Sequence, residues 1–420
     1  MPISKNSRLG TMMFLQYALW GAWLPVTARY LSASLAEGGL GFTGFQVGMI
    51  LGFGGSIGAI SAPFIAGQLA DRYFSTERVL SFLLVMGGLI KWYTSFETDY
   101  LPWLYLSVIY SILYMPTFAL TNSIAFSHIQ DKEKTFPKIR AWGTIGWIVA
   151  SWSFPMIWLQ QDLSFQLMPP FLSGQEVPNV TAKLSDALQF SGIISIVYGV
   201  LCFLLPHTPP KAGSIEPLAF RKAFQLLRYK SFIIIVIASI SVSVIHQIYF
   251  LQTGPYLSSI GIKDSSIGPA MTIGQFSEII IISFLGFFLK HLGFKRVMVI
   301  GTMAYFLRYM IFGMTFLPVW LIISSQMLHG ICFAFFFAAV FIYVDKLADE
   351  DVRHSAQTVI TMFLGGGPIL AGWLSGKLQE INTTNGIFDY SSFWYTLSVI
   401  GLVTTVFFFT QFRDETDNNE

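Results

Sequence analysis

Long runs of apolar residues recur along almost the whole chain and are separated by short polar connections. A helix needs roughly 20 mostly apolar residues to cross the hydrocarbon core of a bilayer. The pattern therefore predicts an all-α membrane protein with about twelve spans. The predicted spans cover approximately residues 11–30, 45–69, 78–95, 101–124, 137–160, 187–205, 231–253, 267–290, 296–314, 317–342, 355–375 and 391–412.

The longest polar interruption in the middle of the chain divides the predicted spans into two sets of six. It contains two adjacent prolines and a basic cluster, without a continuous apolar run. A second long connection, from Gln160 to Asp186, is predicted to be an external loop. The predicted domains are an N-terminal six-helix bundle at 1–206, a cytoplasmic linker at 207–230, and a C-terminal six-helix bundle with a short cytoplasmic tail at 231–420.

Composition excludes an ordinary soluble protein. The chain is 54% hydrophobic and only 11% charged, whereas soluble domains carry about 25% charged residues. Cys202 and Cys332 both lie in apolar runs, which predicts free buried thiols and neither a disulfide nor a metal site. The sequence contains no Walker motif, metal-ligand cluster or nucleophile triad, so we expect neither an enzyme nor an ATP-driven pump, and no cofactor.

Basic residues indicate the orientation in the membrane. Nineteen of the 25 Lys and Arg residues lie at one set of span ends, which the positive-inside rule assigns to the cytoplasm together with both termini. Because topology distributes these charges, they predict no nucleic-acid partner. Lys91 and Arg308 lie at similar depths in the outer halves of the third and ninth spans, and we predict that both extend to lipid headgroups.

A short charged motif occurs once in each predicted half. The first copy is Gly67-Gln-Leu-Ala-Asp71-Arg72-Tyr73, and the second begins at Gly286 and has Lys290 and His291 in place of the acid–base pair. Both copies predict tight cytoplasmic turns into the next helix. The first resembles the signature loop of the major facilitator superfamily, in which the Asp and Arg lock the cytoplasmic side.

That resemblance implies that Asp71 and Arg72 are gating residues and that Arg78 assists them. The alternative interpretation is that all three are ordinary solvated loop charges.

Glu278 is the one acidic residue that falls near the middle of a predicted span. Ionisable groups at this depth are costly and therefore indicate function. Gln275 precedes it by three residues, so both side chains lie on one helix face. A carboxyl group in an apolar cavity could bind and release a proton, although a packing hydrogen bond to a neighbouring helix would also explain it.

Two further spans carry polar candidates. On the fifth, Arg140, Thr144 and Trp147 follow at positions i, i+4 and i+7, a stripe that suits a flat polar ligand. An arginine bound to lipid phosphate remains the alternative for Arg140. The seventh span carries His246 and Gln247, of which one is expected to face a cavity, and then Gly254-Pro255, which should break or kink the helix.

Several stretches together resemble the bacterial nucleoside:proton symporters of the major facilitator superfamily. They are 14–24, 114–117 with Asn122, 139–147, 275–278, 307–309 and 355–357. The resemblance implies a major facilitator fold of two pseudo-symmetric six-helix bundles in a bacterial inner membrane. It also implies that the protein acts as a monomer and imports nucleosides together with protons, by alternating access around a midplane site.

The resemblance also implies site residues. Matching positions for substrate binding are Arg140, Thr144, Trp147, Gln247, Gln275, Glu278 and Phe333. Two positions depart from the family pattern, because Phe250 replaces an Asn and Ala334 replaces an Asp. Phe250 is retained as a substrate contact, and Glu278 becomes the one candidate for proton coupling. A transporter of another polar solute such as a sugar, and a non-transporting membrane sensor, remain alternatives.

Overall fold

The computed structural model describes residues 4–65, 73–130, 132–167, 172–210, 227–347 and 353–415, and most of them are helical. The helices of the first part of the chain are α1 Lys5–Gly21, α2 Leu24–Ser32, α3 Gly44–Gly48, α4 Gly55–Ile65, α5 Thr76–Thr94, α6 Tyr100–His128, α7 Lys132–Trp158, α8 Val180–Lys183 and α9 Asp186–Leu201. Those of the second part are α10 Lys230–Ser259, α11 Asp264–Gly313, α12 Val319–Ser324, α13 Leu328–Cys332, α14 Ala339–Leu347, α15 Arg353–Ile381 and α16 Tyr390–Gln411.

Within the described ranges, seven helical stretches are long and apolar enough to cross a membrane. One of them, α11, is 50 residues long and contains Gly293 at φ 75° and ψ 166°. A positive φ is readily adopted by glycine, and here it separates two helices that run into each other. The tight turn predicted after the eighth span is therefore confirmed, while the total of twelve spans stays a prediction.

The first span consists of two helices instead of the single one that was predicted. Pro25 lies in the first turn of α2, and its missing N–H cannot donate to the carbonyl group of Gly21. Ser151 Oγ donates to that carbonyl oxygen at 2.9 Å instead. A hydroxyl group of α7 thus takes the place of the missing N–H as the donor to the Gly21 carbonyl oxygen.

Of the two outcomes predicted at Gly254-Pro255, the break is wrong, because α10 continues through both residues to Ser259, and the kink stays a prediction. Neighbouring helices make a proline tolerable inside a membrane helix. Irregular helix occurs elsewhere: a 3-10 turn at Ser325–Met327 and π-helical segments at Met49–Gly54 and Phe333–Ala338. The predicted external loop contains an antiparallel hairpin of β1 Gln160–Phe165 and β2 Leu172–Glu176, and a smaller hairpin pairs β3 Thr383–Thr384 with β4 Ile387–Phe388.

The chain forms two compact units. The first comprises Met1–Ser214 and Phe250–Ala270, and the second comprises Ile215–Tyr249 and Met271–Glu420. In the first unit α1 packs on α7, α5 on α9 and α4 on α6. The core of the second includes a stack of Tyr309 on Trp394, with ring centroids 5.5 Å apart. The predicted boundaries of two six-helix bundles stay a prediction.

Lys91 does not extend to lipid headgroups, so that prediction is wrong. Its side chain is 3% exposed. The side-chain nitrogen lies 3.4 Å from the ring centroid of Trp23 and 3.9 Å from that of Tyr110. The amine therefore packs against two aromatic faces inside the first unit.

Glu77, in the first turn of α5, binds the segment that follows α9. Its carboxylate accepts hydrogen bonds from His207 Nδ1 at 2.7 Å and from the Thr208 N–H at 3.0 Å. Burial acts to raise the pKa of Glu77, but the hydrogen bonds from its own backbone, His207, Ser75 and Thr208 together lower it below the ordinary value. The ionised carboxylate therefore stabilises the fold at neutral pH.

We expect Glu77→Gln to lower the melting temperature of the purified protein at pH 7, by the equivalent of about 1 kcal/mol. Because the pKa is depressed on folding, this stabilisation is present above the unfolded pKa and lost as the pH falls through the folded one. Thermal melts of both proteins should therefore converge as the pH falls below about 4.3. A constant difference at every pH would show that the carboxylate charge is irrelevant.

Candidate functional site

A buried polar cluster in the second unit surrounds Arg308. Its side chain is 0% exposed, so the prediction that it extends to lipid headgroups is wrong. The guanidinium nitrogen Nη1 donates to His329 Nδ1 at 2.9 Å and Nη2 donates to Gln326 Oε1. The guanidinium carbon lies 3.8 Å from the ring centroid of Tyr249. A cation held this deeply by uncharged partners is a strong indication of function.

Gln275 and Glu278 both approach the imidazole of His329, which confirms that they share one face of α11. The Nε2 atoms of Gln275 and His329 are 3.3 Å apart. Glu278 Oε2 lies 3.9 Å from His329 Nε2, and the glutamate side chain is 15% exposed while the histidine is 2% exposed. A carboxylate, an amide and an imidazole thus meet inside the second unit.

His329 and Gln326 were missed at the sequence level. Both lie in the tenth predicted span, 317–342, for which the sequence pattern predicted no polar site residue. An imidazole inside an otherwise apolar span is itself a signal, because ionisable residues at that depth are rare. Gln326 lies in the 3-10 turn, and His329 lies in the short helix α13 that follows it.

His246 packs against the imidazole ring of His329 in this cluster. Its Nδ1 lies 2.7 Å from the hydroxyl of Tyr305, and its ring stacks on that of His329 with centroids 5.3 Å apart. Phe333 lies 6.4 Å from His246, centroid to centroid. Gln247, the next residue of α10, is half-buried. Ala334, where the family pattern has an Asp, is fully buried.

The site residues of the first unit lie mainly on α7. The Arg140 guanidinium carbon is 4.1 Å from the ring centroid of Tyr17. Trp147 is 8% exposed, and its ring makes edge contacts with Trp20 at 5.4 Å and Phe250 at 6.3 Å. Thr144 is half-buried between the two ends of this stripe. The first unit therefore has an aromatic surface with a guanidinium group on the same helix.

The predicted gate is only partly described. Asp71 and Arg72 lie outside the described residues, and Arg78 is exposed in the first turn of α5. Their gating roles stay a prediction. Cys202 and Cys332 are free and buried, as predicted.

Comparisons with known proteins find relatives that match nearly the whole chain. The putative nucleoside transporter YegT of Escherichia coli (strain K12) is 32% identical over 98% of this chain and 95% of its own length. The nucleoside permease NupG of the same organism is 29% identical over 97% and 95%. A crystal structure of the nucleoside transporter NupG superposes with a TM-score of 0.82, at 27% identity, over 98% of this chain and 99% of that one.

A D-xylose-proton symporter shares the fold, with a TM-score of 0.76 at 12% identity over 98% of this chain and 99% of that one. The architecture is thus that of the major facilitator transporters, which are not enzymes. The family model described as nucleoside H+ symporter matches residues 3–417. The chain belongs to the nucleoside H+ symporter family of multi-pass membrane proteins.

Proposed function

We propose that this protein imports nucleosides by proton symport through alternating access. The observation that carries the proposal is Glu278, a partly exposed carboxylate on a membrane-spanning helix, 3.9 Å from an imidazole nitrogen. A carboxyl group in such a place can bind and release a proton. Membership of the nucleoside H+ symporter family and the likeness to YegT and NupG support nucleosides as the substrate class.

The proposed roles follow the chemistry of each side chain. Aromatic rings offer stacking surfaces for a nucleobase, and amide, hydroxyl and guanidinium groups hydrogen-bond the base and ribose. The proposed stacking residues are Trp147, Phe250 and Phe333, and the proposed hydrogen-bonding residues are Arg140, Thr144, Gln247, Gln275 and Glu278. Glu278 also carries the proton, and Asp71, Arg72 and Arg78 gate the cytoplasmic side.

We place the protein in a bacterial inner membrane as a monomer of two six-helix bundles, with both termini in the cytoplasm. The excess of Lys and Arg at one set of span ends supports this orientation. No cofactor is part of the mechanism, and the proton is the coupling ion.

Uptake of radiolabelled uridine and adenosine into cells expressing the protein tests this function. We expect accumulation of at least one nucleoside above the external concentration, and collapse of that accumulation when a protonophore removes the proton gradient. An excess of unlabelled sugar should not compete. Uptake that ignores the protonophore would make the protein a facilitator, and uptake of neither nucleoside would overturn the substrate class.

A further inference from the structure

The hydrogen bonds of Arg308 determine where His329 carries its proton. A guanidinium group can only donate. Since it lies 2.9 Å from His329 Nδ1, that ring nitrogen accepts. A neutral imidazole then carries its proton on Nε2. Arg308 therefore selects one tautomer of His329, with the Nε2–H directed toward Gln275 and Glu278.

The unpaired oxygen of the Gln275 amide supports this assignment. Its Oε1 is buried and has no hydrogen-bond partner among the described residues, whereas its Nε2 faces the donor of His329. The two ends of an amide are interchanged by a half-turn, and the hydrogen-bond network decides between them. Turning this amide gives the orphaned oxygen the Nε2–H of His329 and removes the clash between donors.

Among the groups near His329 Nε2–H are two acceptors, Gln275 Oε1 and Glu278 Oε2, and the balance between these two depends on whether Glu278 is protonated. Glu278 Oε2 at 3.9 Å needs to approach by about 1 Å to form a hydrogen bond. An ionised carboxylate is a stronger acceptor than an amide oxygen, whereas a protonated carboxyl loses that advantage. The imidazole donor thus favours Glu278 when it is ionised and Gln275 when it is not.

We propose that Arg308 and His329 are positioning residues for proton coupling, which act by presenting one N–H donor to Glu278. This inference rests on the proposed function and adds two residues to it. The family pattern has an Asp on the tenth helix, where this chain has the buried Ala334. Arg308 and His329 instead supply a buried partner for the carboxyl group of Glu278.

Other titratable groups also face His329. From α10 these are His246, whose ring stacks on it at 5.3 Å, and Tyr249, whose ring lies 5.6 Å away. From α11 they are Arg308 and Glu278, and Tyr305 contributes through its hydrogen bond to His246. Arg308 and Glu278 lie on opposite sides of one imidazole, so its tautomer links them directly.

The test is the pH dependence of nucleoside affinity, measured by binding of uridine and adenosine to purified wild type and variants. Coupling is reciprocal, so if substrate binding and protonation of Glu278 are linked, the dissociation constant should change with pH by about 5- to 150-fold. We expect His329→Gln to flatten this dependence at least about fivefold. Arg308→Lys, which keeps a donor for Nδ1, should retain part of it, and Arg308→Met should not.

His291→Gln is the matched control and should leave the pH dependence unchanged. This exposed histidine bonds, within the part of the chain that the structure describes, the carbonyl oxygen of Phe287 one turn earlier in its helix. A merely structural role would weaken binding equally at every pH. Wild type that binds neither nucleoside would contradict the proposed function. Wild type with a pH-dependent affinity that His329→Gln leaves intact would overturn this inference alone.

If His329→Gln does not fold, ¹⁵N NMR of histidine-labelled protein supplies a second measurement. With six histidines in the chain, comparison of wild type with Arg308→Lys and Arg308→Met identifies the ring that contacts residue 308. We expect that ring to carry its proton on Nε2 in the wild type and to lose this preference in Arg308→Met. A ring protonated on Nδ1 in the wild type would overturn the inference.

Discussion

Glu278→Gln is expected to abolish proton-driven accumulation of nucleoside while leaving exchange of nucleoside across the membrane. Glutamine keeps the size of the side chain and its capacity for hydrogen bonds, but it cannot ionise. One charge moved across about 100 mV supplies about 2.3 kcal/mol, which corresponds to an accumulation of about fifty-fold. The inside-to-outside ratio of the variant should therefore fall from a value of that order to about one.

Two assays on the same membrane vesicles separate coupling from binding. Accumulation under an imposed proton gradient reports coupling, and counterflow of labelled against unlabelled uridine reports binding and the conformational cycle. Glu380→Gln is the matched control, since that carboxylate is exposed and paired with Lys377 at 2.7 Å. Protonophore-sensitive accumulation by Glu278→Gln would assign the proton to another group. Loss of counterflow as well, in a variant that still folds, would make Glu278 a binding residue only.

The location of Glu278 was predictable because a single residue carried the signal. One carboxyl group inside an apolar run, with an amide one turn away, is enough to identify a helix face. The same argument identified the stripe from Arg140 to Trp147, because helix periodicity relates residues close in sequence. Features that depend on one helix at a time were therefore accessible from the sequence.

Arg308 and Lys91 show where such reasoning fails. Both were assigned to lipid headgroups from their depth, but each is buried among partners from other helices. Hydropathy measures the cost of a charge at a given depth, yet it contains no information about which face of the helix meets protein. The same limitation hid the contact of His329 with Arg308, which joins residues on two different helices.

Helix irregularities followed a similar division. Pro25 and Pro255 are equally visible in the sequence, but only the first coincides with a break in the helix. At Pro25 a serine hydroxyl of α7 takes the place of the missing N–H as donor to the free carbonyl oxygen. Tertiary partners therefore determine whether a proline interrupts a helix. The π-helical segment at Phe333–Ala338 was likewise not predicted from the sequence.

Gly146→Leu is expected to prevent folding of the first unit. A Cβ at this position would overlap the backbone carbonyl oxygen of Phe14, and one at Gly21 would lie 2.6 Å from the carbonyl oxygen of Trp147. Small residues let membrane helices approach to this distance, so α1 and α7 would have to separate. Overpacking typically costs about 1–3 kcal/mol, and a leucine against backbone should exceed that range. Folded yield and thermal melts of the purified protein measure the effect.

Substitutions of glycine by alanine at Gly286, Gly146 and Gly143 separate the effect of steric overlap from the effect of losing a glycine in a helix. Gly286 is exposed, and a Cβ there would meet no heavy atom of the described chain within 4 Å. Gly286→Ala should therefore be neutral or stabilising by up to about 1 kcal/mol, since alanine favours helix, whereas Gly146→Ala should already lower the melting temperature. Equal melting temperatures for these two variants would contradict the close approach of α1 and α7.

Gly143→Ala should behave differently from both. Its Cβ would lie 2.6 Å from the ring of Tyr17, a side chain that can turn aside, and 2.9 Å from an Arg140 nitrogen. Because Tyr17 lies under the Arg140 guanidinium at 4.1 Å, displacement of the ring moves a proposed substrate contact while the helices remain packed. We therefore expect Gly143→Ala to have a near-normal melting temperature and weaker nucleoside binding. A lower melting temperature with unchanged nucleoside binding would remove Arg140 from the proposed site.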